Sequence, residues 1–144
     1  MMAAYMISTA MGKDYSCLFI CNRIELIEQT AEAFTHLDIP FGIIGGGFSF
    51  DPMPNVHIAS IDTLKRSIKL RRTPKLVIWD ECRGIGAAGW TKVFKACPDA
   101  YHIGLAATPI RTDSKSLGEY FTHLVCGQCG ERLRRTVEGD LRLL

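Results

Sequence analysis

Two adjacent carboxylates, Asp80 and Glu81, follow the four apolar residues Leu76 to Trp79 and are the strongest candidates for chemistry in this sequence. A short apolar run predicts a buried strand, and ligands of open α/β sheets bind outside the carboxyl ends of the strands. One carboxylate placed there could hold Mg²⁺ through water, and the next could orient and deprotonate an attacking water. A strand that ends in a solvated acidic turn has the same pattern, so this segment alone supports both interpretations equally.

A second apolar run, Tyr101 to Ala106, ends in small residues and a Thr-Pro turn that includes Ala107 and Thr108. A short helical insert separates it from the carboxylate pair. The two runs are therefore consecutive predicted strands.

The elements that must position these residues alternate along the chain. The apolar patterns predict helices at 1–11, 23–37, 61–68, 89–96 and 116–123, and strands at 16–21, 41–44, 56–60, 75–79 and 101–106. Asn22 is the predicted N-cap of the second helix, with Glu25 completing a capping box. Because the strands are apolar throughout rather than alternating, the fold class is α/β, a parallel sheet with helices on both faces.

Composition limits the class of protein. The chain has 144 residues, of which 47% are hydrophobic and 22% charged, which is typical of one globular domain or part of a larger one. The net charge of +2 permits a nucleic-acid partner without demanding one. No apolar run is long enough to span a membrane, and four of the six cysteines lie in apolar segments, which favours a reduced, cytoplasmic chain over a disulfide scaffold.

The Asp-Glu strand, the helical insert and the run G-L-x-A-T-P-x-R (104–111) together resemble motifs II and III of superfamily 2 helicases, the DEAD/DEAH-box ATPases. The group most similar to this sequence is often found in phages and prophages and is related to the ATPase part of restriction enzymes. The resemblance covers residues 1–125 and implies a RecA-like sheet that uses ATP and Mg²⁺ to move along or unwind DNA or RNA. It assigns Mg²⁺, held through water, to Asp80 and water activation to Glu81. Residues 126–144 form a poorly defined, Arg-rich tail.

Two further segments fit the same family. CLFICNRIELIEQTAEAF resembles motif Ia, and VHIASIDTL resembles the motif that follows it. In the family these segments lie along the nucleic-acid path, which implies nucleic-acid contacts for Arg23, Gln29, Ser60 and Thr63. Small hydroxyls and helix N-termini suit sequence-independent phosphate contacts.

The sequence departs from the family in the phosphate-binding loop. No G-x-G-K-[ST] is present, since Gly12-Lys13 is followed by Asp14 and the three glycines from Gly45 are followed by Phe48. We therefore expect a core truncated just after this loop, without the first strand and the second RecA-like domain, and inactive by itself.

The other departures concern the positions that couple motifs II and III in the family, here Cys82, Arg83, Ala106, Ala107 and Thr108. Arg83 stands where Asp or His is usual, and Ala106 stands where a hydroxyl is preferred. Two alternatives stay open: a non-catalytic, loop-less module for nucleic-acid binding or assembly, and the motor of a restriction subunit. Cys126 and Cys129 have the spacing of half a zinc ribbon, but no second pair completes it, so we expect two ordinary thiols there.

Overall fold

The computed structural model describes residues 2–45, 47–66, 70, 72–108, 111, 115–123 and 125. Its helices are α1 (Met2–Met11), α2 (Ile24–His36), α3 (Ile61–Arg66) and α4 (Ala88–Lys95). Its strands are β1 (Cys17–Cys21), β2 (Gly42–Ile44), β3 (Val56–Ser60), β4 (Leu76–Trp79) and β5 (Tyr101–Gly104). Short 3₁₀ helices lie at Cys82–Gly84 and Leu117–Glu119. None of the helices in these residues is long and apolar enough to cross a membrane.

The five strands form one parallel sheet in the order β2-β3-β1-β4-β5, which confirms the predicted α/β class. β1 is the central strand, and Cys17 at its start pairs with both Val56 of β3 and Leu76 of β4. Residues in register end together, so the carboxyl ends of β1, β3, β4 and β5 lie at one edge of the sheet.

Each face of the sheet carries its own apolar core, because successive side chains of a strand point to opposite faces. Cys17, Phe19 and Cys21 of β1 pack on the face covered by α1 and α2, which we call the first face. Leu18 and Ile20 pack on the second face, under α3 and α4. Burial on both faces explains why the strands are apolar throughout.

The helix ends differ from the predictions. Arg23, not Asn22, is the N-cap of α2, and no side-chain hydrogen bond caps this helix, so the expected capping box with Glu25 is wrong. The helix predicted at 116–123 is only the 3₁₀ turn Leu117–Glu119, in which Ser116 Oγ accepts a bond from the Gly118 amide. β5 ends at Gly104 rather than Ala106. Residues 67 and 68 of the third predicted helix and residues 126–144 lie outside the described residues.

Candidate functional site

Backbone hydrogen bonds fix the carboxylate pair at the end of β4. The Asp80 amide donates to the Ile20 carbonyl of β1 at 2.9 Å. Two residues later, the Cys82 amide donates to the carbonyl of Leu105 at 3.0 Å, while the Leu105 amide donates to the Trp79 carbonyl at 2.8 Å. The segment 80–82 is thereby tied to the central strand on one side and to the residue after β5 on the other.

Glu81 turns the chain sharply at this point. Its φ of +51° is in the left-handed region, which costs a residue with a side chain roughly 1–2 kcal/mol. The 3₁₀ turn Cys82–Gly84 begins at the next residue. A non-glycine residue held in this conformation at a strand end is the kind of local strain that clusters at functional sites.

Burial perturbs the ionisable groups beside this turn. Asp80 is half-buried, and desolvation, reinforced by the negative charge of Glu81, raises the pKa of its carboxyl group above the ordinary value. Burial, with the Glu81 charge as the next cause, raises the pKa of the Cys82 thiol to about 11. Cys82 is therefore protonated at neutral pH and is a packing residue rather than a nucleophile.

Arg83 bonds directly to the residue expected to activate water. Its Nε donates to Oε2 of Glu81 at 3.1 Å, and both side chains are partly exposed. Where the resemblance implied a coupling residue aimed at motif III, the side chain instead folds back onto motif II.

Asp80 and Glu81 line a groove of about 1420 Å³ that lies at the carboxyl end of β4 and beside β5. Of the predicted site residues, the structure brings five to this groove: Asp80, Glu81, Cys82, Ala106 and Ala107. Thr108 is exposed and does not line it. The described residues contain no group of three metal-binding side chains. One or two carboxylates nevertheless fit Mg²⁺, which keeps several waters and takes its other ligands from phosphates.

The buried residue Arg111, to which the motif resemblance assigns no role, holds the neighbouring loops together. The side chain of Arg111 is 3% exposed, and its Nη1 donates to Oε2 of Glu119 at 2.9 Å. The guanidinium also lies over the ring of Tyr120, 5.4 Å from its centre. A Cβ built on Gly86 would overlap the guanidinium of Arg111, so an alanine there would force this side chain to move.

The same arginine connects to the loop that follows the carboxylates. The hydroxyl of Tyr120 is 3.0 Å from Oγ1 of Thr91, which donates to the Ile85 carbonyl at 3.2 Å. Ile85 and Gly86 lie between the 3₁₀ turn after Glu81 and α4. Arg111 and Tyr120 therefore link the segments after β5 to the segment after β4. In the sequence, only the fixed spacing of Arg111 after Thr108 points to this residue, and the spacing gives no indication of its partners.

Ser60 and Thr63, two residues predicted to contact nucleic acid, meet at the carboxyl end of β3. Gly45, with a φ of +109°, follows β2 and packs against both, since a Cβ there would lie 2.4 Å from Thr63 Oγ1 and 2.9 Å from Ser60 Cβ. A run of three glycines does not by itself indicate this contact, because the contact depends on residues of β3 and α3.

Arg23 lies at the same end of the sheet, because it follows Cys21, which is in register with Ser60. It is exposed at the start of α2. Gln29 is also exposed but lies farther along α2, about 9 Å along the axis from Arg23 at 1.5 Å per residue. The sheet edge thus gathers Arg23, Ser60 and Thr63, while Gln29 lies along the helix side.

Known proteins resemble this chain in sequence. A family described as "Type III restriction enzyme, res subunit" matches residues 1–111. A "51.5 kDa protein" of a Lactococcus phage is 25% identical over 124 residues, covering 86% of this chain and 25% of that protein. "DNA 3'-5' translocase XPB2" of Sulfurisphaera tokodaii is 32% identical over 100 residues, covering 68% of this chain and 22% of that protein. The chain therefore spans about a quarter of the length of these relatives.

A solved structure supports the fold. The C-terminal part of the Fun30 ATPase domain matches 88% of this chain, and 48% of that chain, with a TM-score of 0.53 at 13% identity. At this identity the likeness shows the architecture alone, which is a RecA-like parallel sheet.

Proposed function

The chain belongs to the type III restriction enzyme res subunit family and is a RecA-like domain of the superfamily 2 helicase type, and on this basis we propose that it is part of an ATP-driven nucleic-acid motor. In this proposal the intact protein couples ATP hydrolysis to movement along, or unwinding of, DNA. DNA is preferred over RNA because the relative from Sulfurisphaera tokodaii is named a DNA translocase. The four described cysteines are free and buried, which favours the cytoplasm.

The observation that carries the proposal is the fixed position of Asp80 and Glu81. Both lie at the carboxyl end of β4, one strand from the centre of the sheet, and both face the open groove. Their backbone is held by bonds to Ile20 and, through Cys82, to Leu105. Phosphoryl transfer depends on positioning and on charge stabilisation, and these backbone bonds supply the positioning.

We assign a separate role to each carboxylate. Asp80 would hold Mg²⁺, and the ion would supply positive charge against the negative charge that develops on the phosphates during transfer. Although burial raises the pKa of this carboxyl, a cation beside it favours the ionised form. Glu81 would orient the attacking water and accept its proton. Arg83 holds one oxygen of Glu81, so the water must approach the other oxygen or the ion pair must open.

The nucleic-acid path would cross the carboxyl end of the other half of the sheet. Ser60 and Thr63 offer hydroxyls beside the Gly45 backbone, and Arg23 offers a charge that binds phosphate. Gln29 would contact the strand only if the path continues along α2. Cys82, Ala106, Ala107 and Thr108 would transmit the nucleotide state, with the Cys82–Leu105 backbone bond as the direct contact between motifs II and III.

In this proposal, residues 1–125 are a partial ATP-binding domain and residues 126–144 are an Arg-rich tail. Hydrolysis also needs a phosphate-binding loop and the arginine fingers of a second RecA-like domain. The printed sequence holds no such loop, so we expect the 144-residue chain to show no Mg²⁺-ATPase activity above background, with or without single-stranded DNA.

The test is ATP turnover of a longer version that carries the loop and the second domain. Glu81→Gln should lower kcat by about two orders of magnitude or more and leave nucleotide binding intact. Glu28→Gln, at an exposed position on α2, is the matched control and should leave turnover unchanged. Retained turnover in Glu81→Gln would remove Glu81 from its assigned role.

A second candidate function, a non-catalytic nucleic-acid-binding module, is favoured by the ion pair between Arg83 and Glu81. The Arg83 side chain occupies one oxygen of the Glu81 carboxylate and leaves less room there for an attacking water. The two functions separate in one experiment on the longer version: DNA binding without ATP turnover supports the module, and DNA-stimulated turnover supports the motor. The family match is also compatible with a motor that serves in a restriction subunit.

A further inference from the structure

An exposed aromatic side chain, Phe48, lies at the carboxyl end of the sheet, close to residues proposed to contact nucleic acid. Its backbone amide donates to the carbonyl of Gly45, the residue that follows β2, at 3.3 Å. A bond between residues three apart closes a tight turn, which holds their Cα atoms within about 7 Å of each other. Gly45 in turn packs against Ser60 and Thr63. Phe48 is therefore one turn away from these two hydroxyls.

The space around Phe48 is open. The residue is 42% exposed, which is a high value for an aromatic side chain. Phe50, two residues later, differs from it, because the Phe50 ring packs 5.9 Å from the ring of His57. A Cβ built on Gly47, immediately before Phe48, would meet no atom of the described residues within 4 Å. A flat ligand therefore has room to reach the Phe48 ring.

Groups that suit phosphate lie on the neighbouring strands at the same edge. β3 alone separates β2 from β1, and neighbouring strands are about 4.8 Å apart, so the ends of β2 and β1 are about 10 Å apart. Exposed Arg23 follows β1, and Ser60 and Thr63 lie between it and the end of β2. The nearby carboxylate of Asp62 is paired with Lys65 at 3.0 Å, which offsets its charge. This edge thus combines an arginine, two hydroxyls and an accessible aromatic ring.

That combination favours single-stranded nucleic acid as the occupant. Proteins that bind single strands stack bases on aromatic rings and hold the backbone with positive and hydrogen-bonding groups. In a duplex the faces of the bases are already stacked on one another, so a ring reaches them only after unstacking. A stable protein partner needs about 800 Å² of contact on each side. One ring beside an arginine and two hydroxyls does not supply such a surface.

We propose that Phe48 is a stacking platform for a base of single-stranded DNA, whose adjacent phosphates are held by Arg23, Ser60 and Thr63. The inference rests on the proposed function, because it places a base contact on the nucleic-acid path of that motor. Stacking uses the face of a base, which every base has, so the contact is insensitive to sequence. Gly47, with a φ of +80° and no side chain, lets the strand approach the turn closely.

The test is the affinity of the 144-residue chain for a fluorescein-labelled oligothymidine of about 12 nucleotides, measured by fluorescence anisotropy at about 50 mM salt. Phe48→Ala should raise Kd about tenfold or more, and Phe48→Trp should return it to within about twofold of the wild-type value, because another aromatic face can stack. An oligonucleotide with abasic sugars throughout keeps the phosphates and lacks the bases. Phe48→Ala should leave the Kd for this abasic strand unchanged.

Met53→Ala is the matched control, because Met53 is an exposed apolar residue of the same connection between β2 and β3. This variant should keep the wild-type Kd for both oligonucleotides. Far-UV circular dichroism establishes that each variant is folded.

The outcomes separate the stacking role from the proposed motor. An unchanged Kd of folded Phe48→Ala for the oligothymidine would overturn the stacking role, leave the motor standing and assign the ring to a protein contact. An equal loss of affinity for the normal and the abasic strand would also overturn it, because Phe48 would then support the backbone contacts rather than a base. A wild-type chain that binds neither strand would overturn the nucleic-acid path itself, and the stacking role with it.

Discussion

The Nε of Arg83 lies 3.1 Å from Oε2 of Glu81, so the side chain that departs from the family pattern holds the residue proposed to activate water. Glu81 is 38% exposed and Arg83 is 45% exposed at the side chain, which leaves solvent access to the pair. A surface pair of this kind contributes about 0–1 kcal/mol to stability. Its importance is therefore for the chemistry of Glu81 rather than for the fold.

Replacing Arg83 by Gln should leave the fold stable and free the carboxylate. In the 144-residue chain we expect a change in the free energy of unfolding of at most about 1 kcal/mol, measured by urea denaturation. In the longer, loop-bearing version we expect kcat to rise, because Glu81 then has both oxygens available for water. Lys65→Gln, which breaks the exposed pair with Asp62, is the control and should change neither rate nor stability. A fall in kcat would show that Arg83 itself takes part in turnover.

Gly86→Ala should destabilise the protein, because the added Cβ would overlap the buried guanidinium of Arg111. Overpacking of this kind costs about 1–3 kcal/mol, and here it would also disturb the bond from Arg111 to Glu119. Gly12→Ala is the control, since its Cβ would meet nothing closer than 3.4 Å. Urea denaturation of both variants measures the difference. Equal stabilities would show that the Arg111 side chain is not held as described.

His102 should make stability depend on pH. Its Nδ1 accepts a bond from Trp79 Nε1 at 3.0 Å, and its Nε2 bonds the Cys97 carbonyl at 2.9 Å, so only the neutral ring satisfies both partners. Desolvation lowers its pKa below the ordinary 6.5. Below pH 6.5 the unfolded chain then binds more protons than the folded chain, and stability falls as the pH falls toward the folded-state pKa.

Thermal unfolding at a series of pH values between 7.5 and 5 checks this dependence. The control for the His102 effect is His123→Gln, at an exposed histidine, which should keep the wild-type pH profile. His102→Gln should lower Tm at neutral pH and flatten the decline below pH 6.5. An unchanged slope in His102→Gln would assign the dependence to another group.

Asp80→Asn should raise stability at neutral pH. Burial and the charge of Glu81 raise the pKa of Asp80 above 3.8, so the folded state binds the proton more tightly than the unfolded state. Stability contributed by the protonated form is present at low pH and is lost as the pH rises through the folded-state pKa. The amide removes this cost, so Tm should increase at pH 7. Asp99→Asn, at an exposed turn, should leave Tm unchanged. A lower Tm for Asp80→Asn would contradict the desolvation argument.

Local patterns in the sequence were sufficient for most of the fold. The apolar runs placed all five strands and four of the helices, and apolarity on both strand faces predicted the parallel sheet correctly. The expected N-cap at Asn22 failed because Arg23 is the residue with extended dihedrals before α2. The helix expected at 116–123 is limited to one short turn, in which the amides of Tyr120 and Phe121 bond to the Leu117 carbonyl. Tertiary contacts, among them the Arg111–Glu119 bond, also hold this segment.

The sequence by itself determined the family resemblance and the residue types at the strand ends, because the residue types and spacings of motifs II and III are local properties. Which side chains meet was decided by the tertiary structure. Arg83 on Glu81, Arg111 against Gly86, and Gly45 against Thr63 each depend on φ values or on loops brought together from distant positions. The place of β5 at one end of the described sheet likewise follows from strand order, which no short stretch of sequence contains. Local patterns select elements through backbone sterics and burial, whereas contacts between elements require the whole chain to pack.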